Sequence, residues 1–382
     1  MKKTYQEKEK EKNLKLIMSV LKKKRKVTKL ELSKKLNLSI PTVTKFINKL
    51  LNLGIVFEAE LSESSGGRRP LVFEFVPDSL LSISIKLELN YLQIALINLD
   101  GNIIKRKTIN KNFIENKDII KILIQEIKIF IFEIGILKEK LYGIGISIPG
   151  IVSDNELLLK VGTNFKLRDI NFEVLQNELN LRVHIENEAN CAAIAELFKN
   201  KNKNISNILV ISIGTGIGAG IIIDNRLYRG QEYRAGEAGH ITLYPHGNKC
   251  NCGNEGCWEL YCSDTALIKQ FKNVFPDINS LKDIFSNKIT CTKEFQELIK
   301  TFTSNMAIGI RDLMLIFDPN KIIISGDICN YSKYIKSDLE LLALKTTNFY
   351  DTSNKKIEFS SYKSDANLIG AGILAFSDFF SF

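Results

Sequence analysis

The sequence predicts a small α+β head, three helices and a hairpin, joined to a larger two-lobed α/β body. Three observations carry that expectation. Positive charge is gathered at the front: the 382 residues hold 53 Lys and Arg against 43 Asp and Glu, net +10, and residues 1–80 alone contain 18 basic and 9 acidic residues, +9 of that total. Helical spacing gives way near Gly54 to two strand-like runs around a Gly-Arg turn. Beyond residue 80, apolar strands alternate with amphipathic helices. A basic module on a nearly neutral body points to a nucleic-acid contact made by one domain only. Hydrophobic content of 45% with 25% charged residues excludes disorder and collagen-like repeats as a description of the whole.

In the head, Leu14, Ile17, Met18 and Leu21 recur at helical spacing, and a lysine-rich turn, Lys22–Lys26, follows. Thr28-x-x-Glu31 reads as a capping box, in which hydroxyl and carboxylate each satisfy a free amide at a helix start. Ser39 is a natural N-cap for a third helix, whose inner face is Val43, Phe46, Ile47 and Leu50 and whose Thr42, Lys45 and Lys49 point outward. Strands at Ile55–Leu61 and Leu71–Val76 flank Ser64-Ser65-Gly66-Gly67-Arg68-Arg69-Pro70. Three helices and such a hairpin make a winged helix-turn-helix, whose recognition helix enters the major groove of double-stranded DNA. Ser39, Pro41, Thr42, Thr44 and Lys45 are the expected groove-facing residues, and Arg68 and Arg69 the expected phosphate or minor-groove contacts.

In the body, Ile83–Ile97 and Asn98–Lys107 read as a hairpin turning at Asp100-Gly101, Ile119–Leu137 as a helix and Leu141–Ile148 as a buried strand. A helix at Glu173–Leu179 precedes a strand at Arg182–Glu186. A second series opens with the strand Ile208–Ile213 and closes with the strand Lys321–Ser325 and a helix from Asn367. The expected division is 1–78 for the head, 79–200 for the first lobe, completed by 366–382, and 201–365 for the second lobe. The charged start lacks a signal-peptide core, and Ile119–Leu137 is interrupted by Lys121, Gln125, Glu126, Lys128 and Glu133, so no membrane span is expected. Seven cysteines, an odd number, fit a reducing cytoplasm.

The sharpest chemistry lies in Gly236–Glu259. His240, Cys250, Cys252 and Cys257 form a Cys3His set suited to a closed, structural Zn²⁺ site within the loop 240–257. Cys191, Cys262, Cys291 and Cys329 read as ordinary cysteines. Glu237, one turn before His240, and Glu259, two residues past the last thiol, would be held rigidly by that loop. A second polar cluster, Asn187-Glu188-Ala-Asn190, ends a strand, and Asn164 is a further amide. Groups that both donate and accept match the hydroxyl pairs of a sugar. The run Gly214-Thr-Gly-Ile-Gly-Ala-Gly220 serves either a phosphate or strands that must cross a ligand cleft closely.

Gly236-Glu-Ala-Gly-His240, Cys250-x-Cys252-Gly-x-x-Gly-Cys257, Gly143-Ile-Gly-Ile-Ser-Ile-Pro-Gly150 and Glu186-Asn-Glu-Ala-Asn190 together resemble the ROK family (repressors, open reading frames and sugar kinases), on its xylose-repressor-like branch. The resemblance spans almost the whole chain. It implies an actin-like ATPase (ribonuclease H-like) body, zinc on His240, Cys250, Cys252 and Cys257, and sugar contacts from Asn164, Asn187, Glu188, Glu237, His240 and Glu259. Kinases of the family carry an Asp-x-Gly-Gly-Thr phosphate loop, and the matching stretch here is Lys86-Leu87-Glu88-Leu89-Asn90. A lysine replaces the metal-binding carboxylate, and Glu88 puts a negative charge where phosphate would lie, a repulsion on the order of several kcal/mol in a partly dry site. The kinases' catalytic Asp is Glu188 here, displaced by roughly 1 Å through its extra methylene, enough to impair proton abstraction but not hydroxyl binding.

The expected protein is therefore a sugar-responsive DNA-binding regulator, a repressor of carbohydrate-utilisation genes and not an enzyme. Its expected partners are an operator duplex, a free monosaccharide effector and a second copy of itself, as a homodimer or dimer of dimers. The alternative is an active ATP-dependent sugar kinase carrying a DNA-binding head. A third reading is control by a protein partner without sugar.

Overall fold

The computed structural model describes residues 4–59, 71–200, 205–345, 351–352 and 354–382. The predicted wing tip at 60–70, with Arg68 and Arg69, lies outside the described residues.

The head starts with α1 (Tyr5–Lys24), opened by a Thr4/Glu7 capping box. The lysine-rich segment is not a turn: α1 runs through Lys24, and β1 (Lys26–Thr28) follows after Arg25, which takes positive φ. α2 (Lys29–Leu36) begins at the predicted box, with Thr28 Oγ1 accepting from Glu31 N–H at 3.1 Å and Glu31 Oε2 accepting from Thr28 N–H at 2.8 Å. α3 (Ile40–Asn52) is capped by Ser39 and buries Val43, Phe46, Ile47 and Leu50, the stripe its spacing predicts. β2 (Val56–Ala59) and β3 (Val72–Phe75) complete a three-stranded antiparallel sheet in the order β1-β3-β2.

The body holds two five-stranded sheets of similar plan. In the first, β4 (Leu81–Leu87), β5 (Tyr91–Asn98) and β6 (Ile103–Asn110) form an antiparallel meander. The expected single run Ile83–Ile97 is thus two strands, reversing at residues 88–90, a turn that no glycine or proline announces. After α4 (Ile119–Ile134), β7 (Leu141–Ile148) pairs parallel to β4. A small sheet of β8 (Ile151–Ser153), β9 (Leu158–Gly162) and β10 (Leu167–Asn171) intervenes, then α5 (Glu173–Leu179), and β11 (Val183–Asn187) joins parallel to β7. α6 (Glu188–Asn200) leads into the second sheet.

There β12 (Ile208–Ile213), β13 (Ile217–Ile223) and β14 (Arg226–Tyr228) run antiparallel. The metal-loop region follows, then α7 (Glu259–Cys262), α8 (Asp264–Lys272), α9 (Leu281–Ile284), α10 (Asn287–Thr290) and α11 (Lys293–Phe317). β15 (Lys321–Gly326) pairs parallel to β12, α12 (Lys336–Ala343) crosses, β16 (Ile357–Phe359) pairs parallel to β15, and α13 (Ala366–Leu374) returns to the first sheet.

α6 and α13 pack against each other between the sheets, α6 on β12 and β13, α13 on β4, β5 and β7. Their approach needs glycine: a Cβ on Gly370 would overlap the Cys191 carbonyl, and one on Gly145 the Ala371 carbonyl. The head is not a bead on a linker. Leu14, Ile17, Met18 and Leu21 of α1 share one hydrophobic cluster with Phe198, Phe376 and Phe380 of the body. Arg25 Nη1 donates to both Asp100 carboxylate oxygens, at 2.7 and 3.0 Å, and Lys22 Nζ lies over the Phe198 ring. Among the described residues, no helix is long and apolar enough to cross a membrane.

Candidate functional site

The strand ends of both sheets open into one cleft, as expected where parallel strands stop together. Asn187 ends β11 and Glu188 begins α6, so one chain reversal delivers two polar side chains. Glu237 caps a 3-10 turn, Ala238–His240, and Glu259 starts α7. These four, with His240 and Asn164, line a single cavity of about 70 Å³, so the structure brings all six sequence-predicted polar residues together. Gly150, Thr163, Thr215 and Asn251 also line it. Sequence reasoning did not single them out: Gly150, Thr215 and Asn251 lie inside motifs read for other residues, and Thr163 only adjoins Asn164.

Asn187 is partly engaged already. Its Oδ1 accepts from Ala189 N–H at 2.8 Å, capping α6, and its Nδ2 donates to the Gly150 carbonyl at 3.0 Å. Behind it the buried Glu186 accepts from Asn190 Nδ2 at 2.9 Å and Arg229 Nε at 2.7 Å, which locks the strand-to-helix junction. Glu188 is different. Its Oε2 is buried with no hydrogen-bond partner, an unmet demand that a ligand hydroxyl satisfies. Burial pushes its carboxyl up to about 8, and the Glu237 and Glu88 carboxylates add to the rise. Glu188 is therefore mostly protonated at neutral pH and presents an O–H donor as well as an acceptor. Burial likewise raises Glu237, with His240 opposing.

A ring nitrogen of His240 and the sulfurs of Cys250, Cys252 and Cys257 all lie within 4.8 Å of one another. Cys250 Sγ is 3.7 Å from His240 Nδ1, and the Cys252 and Cys257 sulfurs are 3.6 Å apart. The loop folds back sharply at Gly253 and Gly256, both at positive φ, and a Cβ on Gly256 would collide with the Tyr244 carbonyl. Burial and the Cys252 thiol push Cys257 upward against Cys250, and burial does the same to Cys250 itself. Three crowded thiols and one imidazole nitrogen are disfavoured as bare anions and well suited to a divalent cation, which deprotonates coordinating thiols. The donor set fits a metal. His240 Nε2 faces the other way, 3.8 Å from Glu237 Oε2 in the cavity.

A second chamber, about 250 Å³, adjoins the first across Pro149, Glu188, Thr215 and Gly216. The reversal between β4 and β5 puts Lys86 and Glu88 in its wall, their charges 3.4 Å apart, beside Tyr91, Asp264 and Asp327. Burial works against the Lys86 ammonium, but Glu88, Tyr91 and Asp327 together outweigh it and the pKa ends above its ordinary value. Burial raises Glu88 in turn. Asp264 is also raised well above the carboxylate range, by burial and by Asp327, and its Oδ1 is unpartnered. The glycine run between β12 and β13 serves close approach: Gly214 N–H bonds Gly216 O at 3.0 Å, and a Cβ on Gly218 would come 2.8 Å from the Ala189 Cβ.

In the head, Ser39, Pro41 and Lys45 are exposed at the start of α3, whereas Thr42 and Thr44 are half-buried. Thr42 Oγ1 is 2.8 Å from Ser39 Oγ and belongs to the cap, and Thr42 and Lys45 border a shallow groove with Gln6, Lys10 and Asn13 of α1.

Comparison with known proteins adds the following. The model of the ROK family matches residues 82–377, and a model described as winged helix-turn-helix DNA-binding matches residues 10–56. The xylose repressor of Bacillus spizizenii is 36% identical over 320 residues, 83% of this chain and 82% of that protein. The crystal structure of a ROK family transcriptional regulator, a homologue of the E. coli MLC protein, superposes with a TM-score of 0.84 at 23% identity, over 97% of this chain and 96% of that one. A ROK family glucokinase from Streptomyces griseus, in complex with glucose and AMPPNP, superposes with a TM-score of 0.69 at 23% identity, over 78% of this chain and 99% of that one.

Proposed function

The chain belongs to the ROK family, and from that membership we propose that it is a sugar-responsive, DNA-binding repressor that holds a free sugar between its lobes without phosphorylating it. Relatives named xylose repressor align along most of the chain, one of them over 93% of it, and make a pentose such as xylose the first effector to test. The observation that carries the reading is the charge lining the second chamber. Lys86 and Glu88 form a buried ion pair in its wall, and Asp264 and Asp327 line the same space. The triphosphate of a nucleotide would meet four acidic side chains there, Glu88, Glu188, Asp264 and Asp327, and one cation, already paired with Glu88. The small cavity keeps its polar equipment.

In that cavity, Glu188 donates to or accepts from one sugar hydroxyl, while Glu237, His240 Nε2 and Glu259 orient the others, with Asn187 and Asn164 at the rim. His240 Nδ1, Cys250, Cys252 and Cys257 would hold Zn²⁺, which supplies a structural cross-link with no open position for chemistry. His240 and Glu259, at the two ends of that loop, are thereby held rigid toward the sugar.

Sugar held by both lobes favours one closure of the cleft, and the bias reaches the head through α6, which begins at Glu188 and ends beneath Lys22. In a homodimer, or a dimer of dimers, such a movement changes the spacing of two recognition helices and so the affinity for a two-half-site operator. Ser39, Pro41, Thr42, Thr44 and Lys45 serve the major groove, and Arg68 and Arg69 the backbone or minor groove. The working division is 1–78, 79–200 with 366–382, and 201–365, in a reducing cytoplasm.

The test is a thermal-shift screen of pentoses, hexoses and N-acetyl sugars, followed by operator binding with and without the stabilising sugar. A sugar that raises the melting point and changes operator affinity supports the reading. Sustained ADP release with any of them overturns it in favour of a kinase.

A further inference from the structure

Beyond the metal loop the small cavity opens outward. A groove of about 610 Å³ shares Asn164, Thr215, Asn251 and Glu259 with it, so the two spaces adjoin. The groove runs between the metal loop and the exposed faces of α8 and α11, and is far larger than the space beside His240.

Its chemistry is unlike that of the acidic chamber. Tyr244 and Tyr261 stand edge to face with ring centroids 4.8 Å apart, and Tyr244 is 40% exposed. Both rings are fixed by their hydroxyls: Tyr244 donates to Asn305 Oδ1 at 2.5 Å, and Tyr261 accepts from Asn248 N–H at 3.0 Å. Amide and hydroxyl side chains such as Asn248, Gln270, Asn273 and Thr301 fill most of the remaining wall, with Lys249 and Lys269. Glu259 is the sole carboxylate among its described lining residues. Sugar rings offer C–H faces to aromatic surfaces and hydroxyls to groups that both donate and accept. An exposed ring already immobilised by its own hydroxyl is preorganised for such a contact. A single sugar seated in the small cavity would leave this wall unused.

We infer that the groove binds further sugar units, so that the effector is a glycoside or short oligosaccharide whose terminal ring occupies the small cavity. The inference rests on the reading of that cavity as a sugar site. It assigns Tyr244, Tyr261 and Asn273 a role in recognising chain length, and it places the second ring across the seam between Asn164 of the first lobe and α8 of the second.

Calorimetric titration of the full-length protein with matched pairs tests this: xylose and xylobiose, glucose and cellobiose, N-acetylglucosamine and its β1,4-linked dimer. At least one dimer is expected to bind about tenfold or more tightly than its single sugar. Thr301→Trp, projecting from the exposed face of α11 into the groove, is expected to abolish that margin while leaving single-sugar binding within about twofold. Tyr244→Ala is expected to do the same, and a melting curve checks that each variant is folded. Equal affinity for single sugars and dimers overturns the inference and leaves the sugar-site reading intact, as does a margin that survives Thr301→Trp. No binding by any of the six overturns both.

Discussion

Glu188 and Phe198 stand at opposite ends of one helix, the first in the cavity between the lobes and the second beneath the Lys22 ammonium of the DNA-binding head. Ten residues at the helical rise separate them by about 15 Å. Every residue of α6 between them is buried, and α13 packs along its length, so the helix moves as a rod or not at all. The site and the head therefore share a rigid element.

Coupling through that rod depends on its contacts with α1. Lys22→Ala and Arg25→Ala remove the contacts to Phe198 and Asp100. Arg25 is half exposed, so its ion pair contributes no more than about 1 kcal/mol to stability and the variant should fold. The double variant is expected to bind sugar and operator each within about twofold of wild type, but to lose most of the sugar-induced change in operator affinity. Fluorescence anisotropy of labelled operator with and without sugar reads this, and an intact response would show that the signal travels elsewhere.

Cys252 is the exposed member of the Cys3His set. Cys252→Ser is expected to lower bound zinc from one per chain to near zero by elemental analysis, and to weaken sugar binding at least tenfold, since His240 and Glu259 are positioned by the same loop. Unchanged metal content would remove these four residues as the ligand set.

The Glu188 carboxyl gives a pH signature. Its folded pKa of about 8 lies above the unfolded value near 4.5. The folded state thus binds the proton more tightly, and its stabilising contribution is full below pH 4.5 and lost as pH rises through 8. Wild type is expected to lose melting temperature across that window relative to Glu188→Gln, and to run parallel with it above pH 8. Parallel curves from pH 4.5 to 8 would mean that Glu188 is solvated. The Gln variant should also retain sugar binding near neutrality, because it too offers a donor and an acceptor.

The Lys86–Glu88 pair should behave as a buried pair. Lys86→Ala leaves Glu88 without its cation and is expected to cost about 3 kcal/mol in denaturant unfolding, whereas Lys86→Met with Glu88→Gln should recover most of it. A Lys86→Ala variant as stable as wild type would contradict the burial of the pair.

Legibility in the sequence followed the range of the physics. Interactions that act over three or four residues were readable: the Thr28/Glu31 box, the Ser39 cap and the apolar stripe of α3 stand where spacing predicts. The Cys250–Cys257 cluster was readable because ligand spacing in a short loop constrains its partners. The reversal between β4 and β5 was not, because Glu88, Leu89 and Asn90 contain neither glycine nor proline to mark a break between the two strands. β1 was hidden in a lysine run, since three residues carry no periodicity and its pairing to β3 is long-range. Asn187 was readable as a cavity residue but not as the cap of α6, and the groove beside Tyr244 and Tyr261 needs α8 and α11, which start 7 and 36 residues after Cys257, folded back onto the metal loop.

The most direct test adds magnesium and ATP, in a calorimeter, to the full-length protein saturated with its stabilising sugar. The expected trace returns to baseline after each injection, with operator affinity still set by the sugar alone. A continuous heat of turnover, with sugar phosphate accumulating, would contradict the central claim that this cleft grips a carbohydrate and has given up transferring phosphate to it.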